Sequence, residues 1–243
     1  MSISVMFALI GLAILLWVVL LQKLKTKPWL VQGIVIEPGD SATLYPAKVI
    51  GLGVFLAVVT ALFTLFAAAY HMRMAVPDWT HLPLPKILWV NTVLLTLSGA
   101  ALQWAWFHVD RMPVIEELAT PTEALAWRAN LFNTRQGLMA GGCFALAFLV
   151  GQLLAWRQLD AIGFFFSCTP ASAFFYLFTG LHGVHLLGGL VVLGRTTATV
   201  YRSDLTQPTP AAAKLFLSIK LCAVYWHYLL LIWLAIFALL LFT

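Results

Sequence analysis

Charge is scarce in this sequence. Asp, Glu, Lys and Arg together make up 9% of its 243 residues, against about 25% in a typical soluble domain. With 62% of the residues hydrophobic, that scarcity excludes a soluble fold and calls for a lipid environment. The net charge of +5 is then no nucleic-acid footprint, because in a membrane chain the placement of positive charge matters more than its sum. Cysteine is equally sparse. Cys143, Cys168 and Cys222 form no CxxC or Cys/His pairing, so they are expected to pack as small hydrophobes.

Long apolar runs are what the sequence has in abundance. A spanning helix needs roughly 20 mostly apolar residues, and six runs qualify: 4–22, 49–70, 86–107, 136–156, 170–194 and 214–242. The reading is an all-α integral membrane protein, a six-transmembrane-helix bundle forming one membrane domain over 1–243. Its parts are a leading helix at 4–22 and a five-helix bundle over 49–243. The first run has no positive n-region before it, and Lys23, Lys25 and Lys27 follow it, as expected of a retained anchor. The most polar stretch is a loop at 108–135, where Pro121, Thr122 and Glu123 look like a helix start.

Orientation follows from Lys and Arg. With the N-terminus outside, Arg73, Lys86 and Arg157 fall on the outer side, and the other 11 of the 14 basic residues fall on or near the inner side. Positive charge concentrates on the inner side of membrane proteins, so the expectation is N-out/C-out. The nine acidic residues all fall in loops by these boundaries. A pump or transporter built on intramembrane carboxylates would need them within the spans, and a channel would need a polar pore. Neither feature is evident.

The polar groups within spans are few: Asn91, Gln103, Gln152, His182, His185, His227 and some Ser and Thr. Thr169-Pro170 reads either as an N-cap with proline at the first helical position or as a kink in a helix that begins nearer Asp160. In both cases His182 and His185, at i and i+3, are expected on one face, with Thr179 and Gly189 along the same stripe. One reading is a metal or haem site, since both use imidazole. The other is hydrogen bonding across helices to Asn91, Gln152 or backbone carbonyls. The second is favoured because His227 is the only further intramembrane histidine and no acid or thiolate stands at ligand spacing. Asn91, Thr92 and Ser98 are expected to bond between helices at about 1 kcal/mol each. The cluster Tyr225, Trp226, His227, Tyr228 and Trp233 lies mid-helix, where packing against protein is expected.

Four stretches together carry a resemblance: "FFYLFTGLHGVHLLGG" (174–189), "YWHYLLLIW" (225–233), "LWVNTVLLTLSG" (88–99) and "FALAFLVGQLLAW" (144–156). With "AKVIGLGVFLAVVTALFTLFAAAY" (47–70) before them, they resemble subunit III of the haem-copper respiratory oxidases, in the family's order, over about residues 45–243. The Thr-Gly-x-His-x-x-His and Tyr-Trp-His elements are the specific ones. The resemblance implies a non-catalytic, all-helical subunit of a cytochrome c oxidase-type terminal oxidase. It implies no cofactor in this chain, with haem and copper in partner subunit I and with subunit II and smaller subunits as further neighbours. It also implies bound phospholipid, and support of stability and proton uptake in subunit I. The family's motif residues fall here on Asn91, Gln152, Thr179, His182, His185, Tyr225, Trp226 and His227, with structural roles. Arg195, Arg202, Lys214 and Trp233 are the candidates for lipid or interface contact. The implied location is a bacterial inner membrane.

Three departures stand out. Where the family commonly has membrane acids, this chain has Val59, Ala155 and Leu230, which puts a local proton antenna in doubt. Many members have two leading helices that hold lipid against the rest, whereas one such run is found here. A quinol oxidase subunit, the subunit III-like partner of a nitric oxide reductase, a free-standing transporter and a haem-binding redox protein are the competing readings.

Overall fold

The computed structural model describes residues 47–112, 120–203 and 210–242. Five helices occupy them: α1 (Ala47–Met74), α2 (Ile87–Asp110), α3 (Pro121–Ala161), α4 (Pro170–Arg202) and α5 (Pro210–Leu241). All five are long and apolar enough to cross a membrane. The leading helix expected at 4–22 lies outside the described residues.

Each helix runs past the apolar window that announces it. The run expected at 136–156 is the later part of a 41-residue helix, and α4 continues to Arg202 instead of stopping near 194. Apolar length reports the thickness of lipid, whereas the helix ends where its backbone groups find caps. Thr120 supplies one cap. Its hydroxyl accepts from the Glu123 N–H at 3.2 Å, and the Glu123 carboxylate accepts from the Thr120 N–H at 3.0 Å. With Pro121 at the first position, this is a capping box. Most of the expected loop 108–135 is thereby helical. Asp110, Glu123 and Asp160, expected in loops, stand in terminal turns of α2 and α3.

The choice at Thr169-Pro170 falls to the N-cap. α3 ends at Ala161, and Gly163 takes a left-handed φ of 88°, a conformation glycine adopts without steric cost. Thr169 then accepts from the Ser172 N–H, and the Ser172 hydroxyl accepts from the Thr169 N–H, each at 3.1 Å. A fresh helix begins at Pro170.

The helices alternate in direction. Lys48 near the start of α1 reaches Ser218 near the start of α5 at 3.4 Å, and Lys220 of α5 pairs with Asp110 at the end of α2. Arg135 of α3 donates to the Val200 carbonyl near the end of α4 at 3.1 Å. These contacts mark one end of the bundle. Arg73–Asp78 and Tyr176–Asp160 mark the other.

α2 and α3 pack most intimately, because glycines let their backbones approach. A Cβ on Gly137 would lie 2.7 Å from the Ala101 carbonyl oxygen, and one on Gly141 would lie 2.8 Å from Leu102 Cγ. Among the described residues α5 is the most enclosed helix, with half of its apolar window buried, whereas α1 has 17% buried and rests mainly on α4 and α5. Its outward Val54, Val58 and Leu65 suit hydrocarbon.

Candidate functional site

Polar side chains inside the bundle form a seam that runs through α2, α3, α4 and α5. Asn91 of α2 is fully buried and donates from Nδ2 to Gln152 Oε1 of α3 at 3.3 Å. The neighbouring Thr92 turns its hydroxyl to the Leu88 carbonyl at 2.9 Å and accepts from the Trp233 indole N–H of α5 at 2.9 Å. Two turns further along α2, Ser98 donates to the Gly141 carbonyl at 2.7 Å and accepts from Trp226 Nε1 at 2.7 Å. One hydroxyl thus ties three helices. On α4, Thr179 donates to the Phe175 carbonyl and accepts from Trp156 Nε1 at 3.0 Å.

The two histidines of the α4 motif part company. His182 is wholly buried, 5.7 Å from the Phe148 ring and 5.3 Å from Trp233. His185 is half-buried and turns toward α1, 6.1 Å from Phe55 and 5.7 Å from Phe63. The buried stripe is Thr179, His182, Leu186 and Gly189, so the expected common face leaves His185 out. Three residues turn a helix through 300°, and the 60° shortfall is enough to aim the second imidazole at a different neighbour.

The expected cross-helix bonds of the imidazoles are also corrected. His185 Nδ1 bonds the Leu181 carbonyl at 2.8 Å, and His227 Nδ1 bonds the Ala223 carbonyl at 2.7 Å, each four residues back on its own helix. It is the backbone of His185 that is bonded across helices, through Tyr225 Oη to its carbonyl at 2.9 Å. Tyr225 also packs on Gly189, where an added Cβ would lie 2.6 Å from Tyr225 Cε1. Neither ring nitrogen of His182 has a hydrogen-bond partner. Among the described residues, no three of His, Cys, Asp and Glu come together as a metal would require.

Arg195, Arg202 and Lys214 are exposed, and Arg202 ends α4. Trp233 does not face lipid: it is fully buried between Phe148, His182 and Phe237. Its seven-residue spacing from the equally buried Trp226 puts it on the same inner stripe of α5. Trp226 and Tyr228 are likewise buried, and Tyr228 meets Thr60 of α1 at 2.9 Å. Cys222 is buried, but Cys143 and Cys168 are exposed, so only one cysteine packs inside. Val59 and Ala155, at the acid positions, are buried in apolar surroundings, and Leu230 is half-buried.

Two contacts had no place in the sequence reading. His108 Nδ1 meets Asn130 Oδ1 at 2.9 Å near the basic end, a pair 22 residues apart with no local signal. Gly137 and Gly141 lie at a GxxxG spacing, which is a legible signal for close helix approach.

Several known proteins similar to this chain are named cytochrome c oxidase subunit 3. A Mycobacterium tuberculosis protein named "Probable cytochrome c oxidase subunit 3" is 31% identical over 120 residues, covering 48% of this chain and 55% of the relative. The Yarrowia lipolytica cytochrome c oxidase subunit 3 is 27% identical over 213 residues, covering 80% of this chain and 68% of the relative. The chain is related to cytochrome c oxidase subunit 3. A Nocardia farcinica protein with the same name as the mycobacterial one is 26% identical over 178 residues, covering 63% of this chain and 83% of that relative. The chain spans about half the length of the mycobacterial relatives it matches. No protein-family model matches it. Several bonds of the seam join helices: Asn91 to Gln152, Ser98 to Gly141 and Trp226, and Thr92 to Trp233.

Proposed function

We propose that this chain is the non-catalytic subunit III of a haem-copper terminal oxidase of the cytochrome c oxidase type, multi-pass in a bacterial inner membrane. The relatives named cytochrome c oxidase subunit 3 support the assignment to such a complex. The observation that carries the accessory role is the divergence of the motif histidines. His182 lies among Phe148 and Trp233, and His185 lies against Phe55 and Phe63. Two imidazoles aimed at different neighbours do not converge on one ion, and the chemistry of oxygen reduction belongs to a partner.

In this role the chain braces subunit I and supports its proton uptake. The partners are subunit I, which holds haem and copper, subunit II and smaller subunits. Phospholipid lies against the exposed basic residues Arg195, Arg202 and Lys214. N-out/C-out orientation puts the end that carries Lys48, Arg135, Arg202 and Lys220 on the inner side, in keeping with the positive-inside rule.

Purification of a tagged chain from membranes under mild detergent tests this reading. The expected outcome is a co-purifying large subunit with haem and copper, and less than one equivalent of either metal on the chain when isolated. Recovery of the chain alone, or with haem of its own, overturns the proposal. The electron-donor domain of a further co-purifying chain separates a cytochrome c oxidase from a quinol oxidase, and a nitric oxide reductase partner would be recognised in the same way.

A further inference from the structure

The seam leaves specific atoms without partners. His182 is wholly buried, yet neither Nδ1 nor Nε2 is hydrogen-bonded, and Gln152 Nε2 and Asn91 Oδ1 are in the same condition. In the bilayer interior bulk water is not at hand to satisfy such groups, and an unpaired polar atom there is costly. Asn91 Oδ1 has a partial answer. It sits so close over Gly151 that a Cβ there would lie 2.0 Å from it, which places it against the glycine Cα in a weak C–H···O contact. His182 and Gln152 have no such substitute.

The register of α3 and α4 brings these two residues to one level. Phe148 of α3 touches His182 of α4. Two turns on, Trp156 of α3 reaches back to Thr179 of α4. Gln152 lies midway, four residues from each, and so stands opposite the turn from Thr179 to His182. Gly183 and Gly180 agree, the first facing Leu149 and the second Trp156. The Gln152 carbonyl is already engaged by Asn91, which leaves its NH2 group as the free donor at this level.

The chemistry is complementary but incomplete. In either neutral tautomer one imidazole nitrogen donates and the other accepts. The donor can point at an aromatic face, since Phe148 lies nearly perpendicular at 74° and Trp233 lies alongside. The accepting nitrogen needs a hydrogen that the surrounding rings do not offer. We propose that one water molecule is bound in the core of the bundle, accepting from Gln152 Nε2 and donating to the His182 ring, as a hydrated link between α3 and α4. Buried waters in proteins occupy such positions, bonded to otherwise unpaired polar groups.

Two measurements on the intact protein test the link. In the structure of the assembled complex, at a resolution that shows ordered water, density is expected within hydrogen-bonding distance of both Gln152 Nε2 and a His182 nitrogen. In solid-state NMR of the full chain in lipid bilayers, with histidine labelled with 15N, a water cross-peak to His182 is expected. It should be lost in Gln152→Met, which keeps the length of the side chain and removes its donor. A direct Gln152–His182 bond, a dry site in the wild type, or a cross-peak unchanged by Gln152→Met overturns the proposal. If the variant does not fold, the wild-type cross-peak and the density decide between these outcomes.

Discussion

The indole N–H of Trp226 on α5 donates to the hydroxyl oxygen of Ser98 on α2 at 2.7 Å, across 128 residues of sequence. The same hydroxyl passes its own hydrogen to the Gly141 carbonyl of α3. Without a hydrophobic driving force between helices in lipid, such bonds and close packing are what hold a bundle together.

Ser98→Ala should therefore loosen two helix pairs at once. Interhelical hydrogen bonds in membranes are worth about 0.6–2 kcal/mol each, and the Trp226 N–H would be left buried without an acceptor. A double-mutant cycle of Ser98→Ala with Trp226→Phe, followed by denaturation from detergent micelles, should give a favourable coupling in that range. Additive effects would mean that the bond contributes nothing.

Gly151→Ala is expected to destabilise the α2–α3 pair by about 1–3 kcal/mol, the usual cost of overpacking a core. The new methyl would lie 2.0 Å from Asn91 Oδ1, and moving Asn91 breaks its bond to Gln152. Gly188→Ala is the control, because nothing lies within 4 Å of a Cβ there. Equal stability of the two variants would contradict the tight α2–α3 contact.

The α1–α2 turn should carry a small pH dependence on the acid side. Hydrogen bonds from the Arg73 guanidinium hold the Asp78 carboxyl below its ordinary range. A folded pKa below the unfolded one gives stability that is present above the unfolded value, about 3.9. That stability is lost as pH falls through the folded value. Asp78 is exposed and Arg73 partly so, so the effect is modest and screened by salt. The wild type should lose its advantage over Asp78→Asn below pH 4, as read from unfolding rates at stepped pH. A constant difference between the two across this range would rule the link out.

A hydrophobic carbodiimide, which modifies carboxyls shielded from water, should leave the apolar interiors of α1 to α5 unlabelled. Val59, 2% exposed, and Ala155, fully buried, stand where an acid would react. Val59→Glu should create a labelled site while leaving turnover of the assembled complex at neutral pH unchanged, because burial favours the neutral carboxyl. Peptide mapping by mass spectrometry reads the first outcome. A rise in turnover would show that the position still communicates with a proton path.

Much of the site was legible because its signals are local. Pro121, Thr122 and Glu123 signal a helix start, and Thr169-Pro170 offers the N-cap as one of two readings, through capping chemistry that involves only three or four residues. Asn91, Gln152 and Thr179 stand out as polar residues in apolar runs. The partners were not legible, because they depend on how helices rotate against one another. Nothing local distinguishes His182 from His185, yet one is sealed among Phe148 and Trp233 and the other turns to α1.

Composition alone determined the solvent: with 9% charged residues and runs long enough to cross hydrocarbon, only lipid-embedded helices satisfy the backbone. The motifs carried the resemblance to oxidase subunit III. Tertiary structure decided the rest. It buried Trp233 instead of giving it to lipid, left Cys143 and Cys168 on the outside, and turned imidazoles expected to bond across helices onto carbonyls of their own helix or onto none. The physical reason is that an apolar run is alike on every face. Which face turns inward is fixed only by the glycines that admit a neighbour and the polar atoms that must find one another.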